Sequence, residues 1–332
     1  QNGGKYSICI DKEQSVPKQL FTPKNIKSFS GDISYHQQPH ALRISYTETK
    51  STDAEEIIVY DDGYNADGSG GKQQATIFET MQLVGVTRYN QAYTIGRRSL
   101  AQGKLRKETF SIVCDVENIV AKRGDLVRVA HDVPKIGTGA GRVMYSSGNL
   151  FQIDEDFNVV MPDFYIDTST NEGYVTLLYW GIFDRAPDSE GLTFWTDKLN
   201  NNEISRRDAK ISFWNSSEAI TLYANVRHLD GTQSYRTITH INGSFGIISG
   251  DPLEVGDLIA YGKQGKITLD CIVKSIKPSN DLTATLELIP YAEGIYSAEV
   301  EEIPQYDPSI SGWTGGSYNG GTIRERIGTP GI

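Results

Sequence analysis

The sequence predicts a mainly β fold of the α+β class: barrel- or sandwich-like β domains, one amphipathic helix, and an inserted all-α module of three helices. Three observations carry this. Apolar and polar residues alternate with a period of two through many short segments, as half-buried strands require. The 332 residues include 33 Gly and 18 Tyr, which suits a loop-rich β protein better than a helical bundle. One block, 168–219, breaks the alternation with helical spacing and caps.

Strand signals begin with "YSICI" and continue in "ALRISYTE", where Leu42, Ile44 and Tyr46 alternate with Arg43 and Ser45, and in "EEIIVY". The turn formers of "DDGYNADGSGGK" close that region. A helix is predicted near 87–107, with Tyr89, Tyr93, Gly96, Leu100 and Gly103 on one face. Each glycine costs such a helix about 1 kcal/mol relative to Ala. Close approach of this face to another backbone is the expected reason for them. Strands return in "TFSIVCDVENIV" and "GDLVRVAHDV", then the glycine-broken "GTGAGRV" leads to "LFQIDEDFNVVM".

In the helical block, Tyr174, Leu177, Leu178 and Phe183 form the stripe of a first helix. Pro187 stops it, and Asp188 is the predicted N-cap of a second helix carrying Leu192, Trp195 and Leu199. Ser205 and Asp208 approximate a capping box for a third, with Ala209 and Phe213. Such short helices are not stable singly, so their aromatics must share a small core, Trp180, Trp195 and Trp214 among them. Strands resume in "ITLYANVRHL", "SYRTITHI", "DLIAYGK", "TLDCIVKSI" and "LTATLELI". The length exceeds the roughly 100–200 residues of one domain. The expected organisation is a β-rich hub domain over 1–167, the helical insert over 168–219, a β-rich continuation over 220–310 and a Gly/Ser-rich linker or excised end over 311–332. The opening residues lack both Met and a signal pattern, so a piece of a longer protein is expected.

Composition narrows the function classes. No apolar run approaches the ~18 residues of a membrane span. Cys9, Cys114 and Cys271 lie far apart in apolar runs and are read as buried free thiols. A net charge of −10 speaks against nucleic acid as a partner of the whole surface. The local exception is the 87–107 helix, with Arg88, Arg97, Arg98, Lys104, Arg106 and Lys107 and no acid. These cations are expected to be solvated or to pair with the acidic stretch 293–307 rather than to contact phosphates.

Catalytic and metal motifs are weak. "GTGAG" lacks the βαβ context of a dinucleotide fingerprint, and "DGSGGKQ" lacks the Ser or Thr of a P-loop. Asp61, Asn65 and Asp67 have the alternation of a calcium loop, but Ala66 stands where the sharp-turn glycine belongs, so a plain turn is expected. Asp154, Glu155 and Asp156 are read as a polar hairpin tip. His36, His40, His131, His228 and His240 show no metal spacing, and His131 beside Asp132 would point to the opposite strand face. Arg123-Gly124-Asp125 is read as a turn. No catalytic residue, metal ligand or cofactor is assigned.

Several segments in order, "LFTPKNIKSFSGDI", "IVYDDGYNADG", "FETMQLVGVT", "GRRSLAQGKLRKETFSI", "RGDLVRVAHDVPKIGTGAGRV", "VGDLIAYGK", "IVKSIKPSNDLTATLEL" and "IPQYDPSIS", resemble the central part of the tail tip attachment protein J (host specificity protein) family of lambda-like phages. The resemblance covers about 17–165 and 220–311. It implies a viral structural protein of the virion tail, made in the bacterial host cytoplasm. It further implies a homotrimeric hub around the tail axis, other tail tip and tail tube proteins as partners, a host surface receptor as a further one, and no enzyme chemistry. The insert resembles a different family. "LYWGIFDRAPDSEGLTFW" fits the L-Y-x5-R-x-P-D-x-x-G-x3-W pattern of a small helical domain of unknown function similar to phycobilisome linker domains, with Leu178, Tyr179, Arg185, Pro187, Asp188, Gly191 and Trp195 matching. In the tail family a β region usually runs on at this point. Two other functions are weighed: a carbohydrate- or receptor-binding module whose insert mediates adhesion, and an envelope-degrading enzyme.

Overall fold

The computed structural model describes residues 9–48, 54–131, 136–162, 164–279 and 281–299. The elements in chain order begin with β1 (Leu20–Phe21), β2 (Ile26–Ile33), β3 (Ala41–Thr47), β4 (Ala54–Tyr60), β5 (Tyr64–Asn65), β6 (Gln73–Gln74), β7 (Phe78–Gln82) and α1 (Tyr89–Leu105). They continue with β8 (Glu108–Cys114), β9 (Leu126–Val129), β10 (Gly139–Ser147), β11 (Leu150–Ile153), α2 (Asn171–Leu178), a π-helical turn (Tyr179–Phe183), α3 (Ser189–Asn200) and α4 (Arg206–Trp214). The last are β12 (Leu222–Arg227), β13 (Gln233–Asn242), β14 (Phe245–Ile248), β15 (Leu258–Gly262), β16 (Leu269–Pro278), β17 (Ala284–Pro290) and α5 (Glu293–Ser297). The fold is mainly β, as the alternation predicts.

Of the described residues, 11–13, 32–109 and 290–299 form one compact unit. Its sheet runs β4-β3-β7, antiparallel between β3 and β4 and parallel between β3 and β7. Leu42, Ile44, Tyr46, Ile57 and Val59 turn one face into a core covered by Tyr89, Ala92 and Leu100 of α1. Gly96 is the close-contact position: a Cβ there would lie 2.5 Å from Ile44 Cδ1 and 2.9 Å from Val59 Cγ2. At Gly103 the neighbour is the Gln38 side chain, at 3.1 Å. The glycines therefore admit side chains, not another backbone, which corrects the expected reason. Asp11 anchors the ends of the unit, accepting from Arg106 at 2.5 Å and from the Tyr296 hydroxyl at 2.6 Å. Burial acts to raise the Asp11 pKa, yet these bonds and the charges of Arg106 and Arg98 outweigh it and hold the carboxyl below its usual value.

Residues 9–10, 14–31 and 110–289 form the other unit. It contains a six-stranded sheet, β1-β9-β16-β17-β8-β2, and a closed antiparallel barrel, β10-β11-β14-β13-β12-β15. Strict alternation in β8 and β17 places Phe110, Ile112, Cys114, Ala284, Leu286 and Leu288 in the sheet core. Every residue of β15 is buried, because it is covered on both faces. Ile259 and Tyr261 belong to the barrel core, whereas Leu258 and Ala260 pack with Leu20, Ala130 and Ile267. The glycine-broken segment is itself strand β10. Gly139 lies against the Tyr261 hydroxyl, and a Cβ at Gly141 would come within 2.8 Å of Ile153 Cβ.

The helical block enters between β11 and β12, and its core is not separate. Val175, Leu178, Tyr179, Ile182, Leu199, Phe213 and Trp214 belong to one buried cluster with Val143, Phe151, Ile153, Leu222, Ile238 and Tyr261 of the barrel. The expected small shared core is thus one side of a larger one. Other differences are local. Cys9 is exposed and outside any strand, while Cys114 and Cys271 are buried thiols as expected. Burial pushes the Cys114 thiol up to about 11. The acidic trio follows β11 and is not the tip of the β10–β11 hairpin. The 311–332 linker lies outside the described residues, as does Asp132.

Candidate functional site

The signature residues of the insert build its caps and packing. Asp188 accepts from Gly191 N at 2.7 Å and caps α3. Ser205 and Asp208 form the predicted capping box on α4. The Tyr179 hydroxyl lies where a Cβ on residue 191 would be, so glycine is required there. Arg185 stacks over the Tyr179 ring at 5.0 Å and bonds Glu218 at 2.7 Å. Trp195 packs on Phe213 with centroids 5.1 Å apart. Asp156, at the exit of β11, joins the block to the barrel through Arg207 at 2.6 Å, which holds the carboxyl below its usual pKa.

The other candidates separate into structural roles. Asp67 Oδ1 accepts from Ser69 N at 2.9 Å and Asn65 donates to Ser69 O at 2.7 Å, making a turn, while Asp61 pairs with Lys104 at 3.3 Å. Arg123-Gly124-Asp125 is also a turn, with Gly124 at φ 90° and Asp125 Oδ2 accepting from Lys122 N at 2.8 Å. On α1, Arg97 pairs with Asp62 at 2.7 Å, and Arg98 with Asp11 and with Glu299 of the acidic stretch. The basic face is thus largely paired with carboxylates. His131 stacks on Phe29, with ring centroids 4.4 Å apart.

Sequence reasoning missed one polar constellation. His228 Nδ1 lies 2.8 Å from Asp257 Oδ2, and its Nε2 lies 2.8 Å from Ser234 Oγ. Asp257 is fully buried and also accepts from Leu229 N and Glu254 N. The β12–β13 hairpin brings Ser234 to His228, and the approach to β15 supplies Asp257, a meeting that spacing cannot reveal. This is the bonding order of a nucleophilic triad. Ser234, however, shares its strand face with Arg236 and the core residue Ile238, and Arg236 Nε donates to the same hydroxyl at 3.1 Å. The group lies at one end of the barrel, and each of its side chains has a hydrogen-bond partner there.

Two clefts flank Gly137 and Thr138. The first, of about 300 Å³, holds His131, Lys24 and Glu155, and Lys24 bonds Glu155 at 2.5 Å. The second, of about 320 Å³, lies between the helical block and the barrel and is lined by Val160, Met161, Phe164, Trp180, Asp184, Lys263 and Lys266. Trp180 is therefore not a core residue, unlike Trp214, which is buried. It sits on the π-helical turn, where Gly181 admits Val159 and Val160, and Phe164 meets it edge-on at 5.2 Å. Lys263 Nζ holds Asp184 at 2.6 Å. Each cleft has one lining carboxylate among the described residues, and a lysine neutralises it. The second sets the rings of Phe164 and Trp180 beside Lys266 and the Lys263–Asp184 pair.

Residues 162–223 match the family model described as "Domain of unknown function (DUF4214)". No curated protein matches the chain. Among solved structures, the tail protein from Neisseria meningitidis MC58 aligns at 13% identity and TM-score 0.25 over 36% of each chain. The virion of the native gene transfer agent particle aligns at 16% and 0.26 over 36% of this chain and 26% of that one. The 43 kDa tail protein of prophage MuSo2 from Shewanella oneidensis aligns at 14% and 0.24 over 37% of each. The chain spans between a quarter and two fifths of these neighbours' lengths.

Proposed function

We propose that the chain is a structural component of a phage tail tip or baseplate hub, a fragment of a larger host-attachment protein that assembles as a homotrimer around the tail axis. The observation that carries this reading is where the segments of the tail family resemblance fall. "GDLVRVAHDVPKIGTGAGRV" contains β9 and opens β10, "VGDLIAYGK" contains β15, and "IVKSIKPSNDLTATLEL" contains most of β16 and β17. They are the strands that complete the sheet and close the barrel. The neighbours described as tail and virion proteins share only part of their length with it. We retain 168–219 as the inserted module of this architecture, with β-rich framework over 1–167 and 220–310.

Assembly needs a surface that fits another subunit. The outer face of β10, β11 and β14 offers one: Tyr145, Leu150, Phe245 and Ile247 are all exposed, and Leu150 stands directly opposite Ile247. Co-expression with tail tube proteins tests the reading, with incorporation of the chain into tail-like particles as the expected result and exclusion as the contrary one. A second reading, adhesion through the helical block, is favoured by the ring-lined second cleft. Deleting 168–219 does not test it, because the deletion removes the helical side of a shared core.

A further inference from the structure

We propose that the cavity between the loop after α4 and the bulged end of β13 binds a neutral sugar, one pyranose unit of a surface glycan. The inference rests on the adhesion reading for the source of its ligand, and it places that ligand where the helical block rejoins the barrel. Three observations converge on this class.

The first is the cavity itself. Its volume of about 350 Å³ lies at the small end of ligand sites and suits a single sugar ring. Its lining is divided by chemistry. Trp214, Ile238 and Ile241, all members of the buried cluster, give it an apolar side, and Asn215, Ser217, Thr221 and His240 give it a polar one. A pyranose has the same division, with apolar C–H groups on its face and hydroxyls at its rim. No described lining residue is Asp, Glu, Lys or Arg, so a charged ligand finds no counter-ion there. The polar groups are also uncommitted: the side chains of Asn215, Ser217, Thr221 and His240 make no hydrogen bond among the described residues.

The second is an orphan donor. Trp214 is 5% exposed, and its buried Nε1 has no hydrogen-bond partner among the described residues. Buried N–H groups are normally paired, and one left unpaired in the wall of a cavity marks a missing acceptor. Each hydroxyl of a sugar supplies an oxygen of that kind.

The third is the strand. Pairing of β13 with β14 runs from Thr239 opposite Ile247 to Asn242 opposite Phe245, so His240 and Ile241 together face Gly246. This is a β-bulge, a device that re-aims side chains at barrel rims. Within it His240 adopts φ 51°, a left-handed conformation uncommon for a residue with a side chain. The bulge sends Ile241 into the core and leaves His240 exposed on the cavity wall. Backbone strain of this kind concentrates where ligands are held, and a recognition role for the imidazole accounts for it.

The test is titration of the full chain with methyl glucoside, methyl galactoside, methyl mannoside and N-acetylglucosamine, with glucuronate as the charged control, followed by calorimetry and Trp fluorescence. The expected result is saturable binding of at least one neutral sugar, a change in Trp emission that Trp214→Phe removes, and no binding of glucuronate. Thr221→Val deletes one exposed hydroxyl and weakens binding about fivefold. His240→Gly relieves the left-handed backbone, so it weakens binding by a similar factor without lowering the melting temperature. No binding of any neutral sugar at the limit of solubility overturns the proposal, as does binding unchanged in both of these variants. Glucuronate bound as tightly as the neutral sugar overturns the neutral class. Cosedimentation of the chain with bacterial envelopes, competed by the sugar that binds, is expected in addition. Its absence beside sugar binding that both variants weaken overturns the adhesion reading alone and leaves the site standing.

Discussion

Gly96 sets the distance between α1 and the sheet beneath it. Adding a methyl group at this position gains about 1 kcal/mol of helix propensity. The new Cβ would stand 2.9 Å from Val59 Cγ2 and 3.1 Å from Val59 Cβ, a branched side chain with no free end to swing aside. Overpacking of this kind costs about 1–3 kcal/mol and outweighs the gain. Gly96→Ala is therefore expected to lower the urea midpoint of the protein, and an unchanged or raised midpoint would refute the packing account. The Ser234, His228 and Asp257 group makes a second residue-scale prediction. If it plugs the barrel end, Asp257→Ala strands the two backbone donors and costs about 3 kcal/mol, while a fluorophosphonate probe leaves Ser234 unlabelled. Stoichiometric labelling that Ser234→Ala removes would make the group a nucleophilic site instead.

At the scale of elements, the helical block is held by its caps, by a core continuous with the barrel and by the Asp156–Arg207 pair. Arg207 keeps the folded-state pKa of Asp156 below the unfolded value of about 3.9. The stabilisation is therefore complete above the unfolded value and is lost as pH falls through the lower folded one. Asp156→Asn should be less stable than the parent at pH 6, and thermal melts should show the gap closing as pH drops below about 4. A gap independent of pH would mean that the pair contributes no charge-dependent stability.

The same block shows what the sequence could reveal. Asp188, Ser205 and Asp208 were legible because capping is decided within four residues, and each caps the helix predicted for it. Strands β3 and β4 were legible because one face is buried and the other is not. Strand β2 is mostly exposed, and β14 has only four residues, so neither gives a clear alternating signal. The placement of Trp180 at a cleft depends on a single π-helical turn that rotates it away from the stripe of α2, and no periodicity announces such a turn. The union of helical and barrel cores is likewise a property of long-range packing, invisible to local spacing.

At the scale of the whole molecule, the chain returns to each of its two units after leaving it, since each is made of separated stretches of sequence. Such interleaving ties the ends of each unit to its middle, as Asp11 with Arg106 and Tyr296 illustrates. The proposed contact surface makes its own prediction. Leu150→Lys combined with Ile247→Glu should change the melting temperature little, because both side chains are exposed and the two opposite charges face each other across the strands, and should abolish incorporation into particles. Normal incorporation would place the assembly surface elsewhere.

The most direct measurement of the central claim is particle imaging combined with sedimentation of the chain at high concentration, alone and with tail tube proteins. The account predicts three copies of the chain around the axis at one end of the tube. A chain that remains strictly monomeric and stays in the supernatant when tubes are pelleted would contradict it.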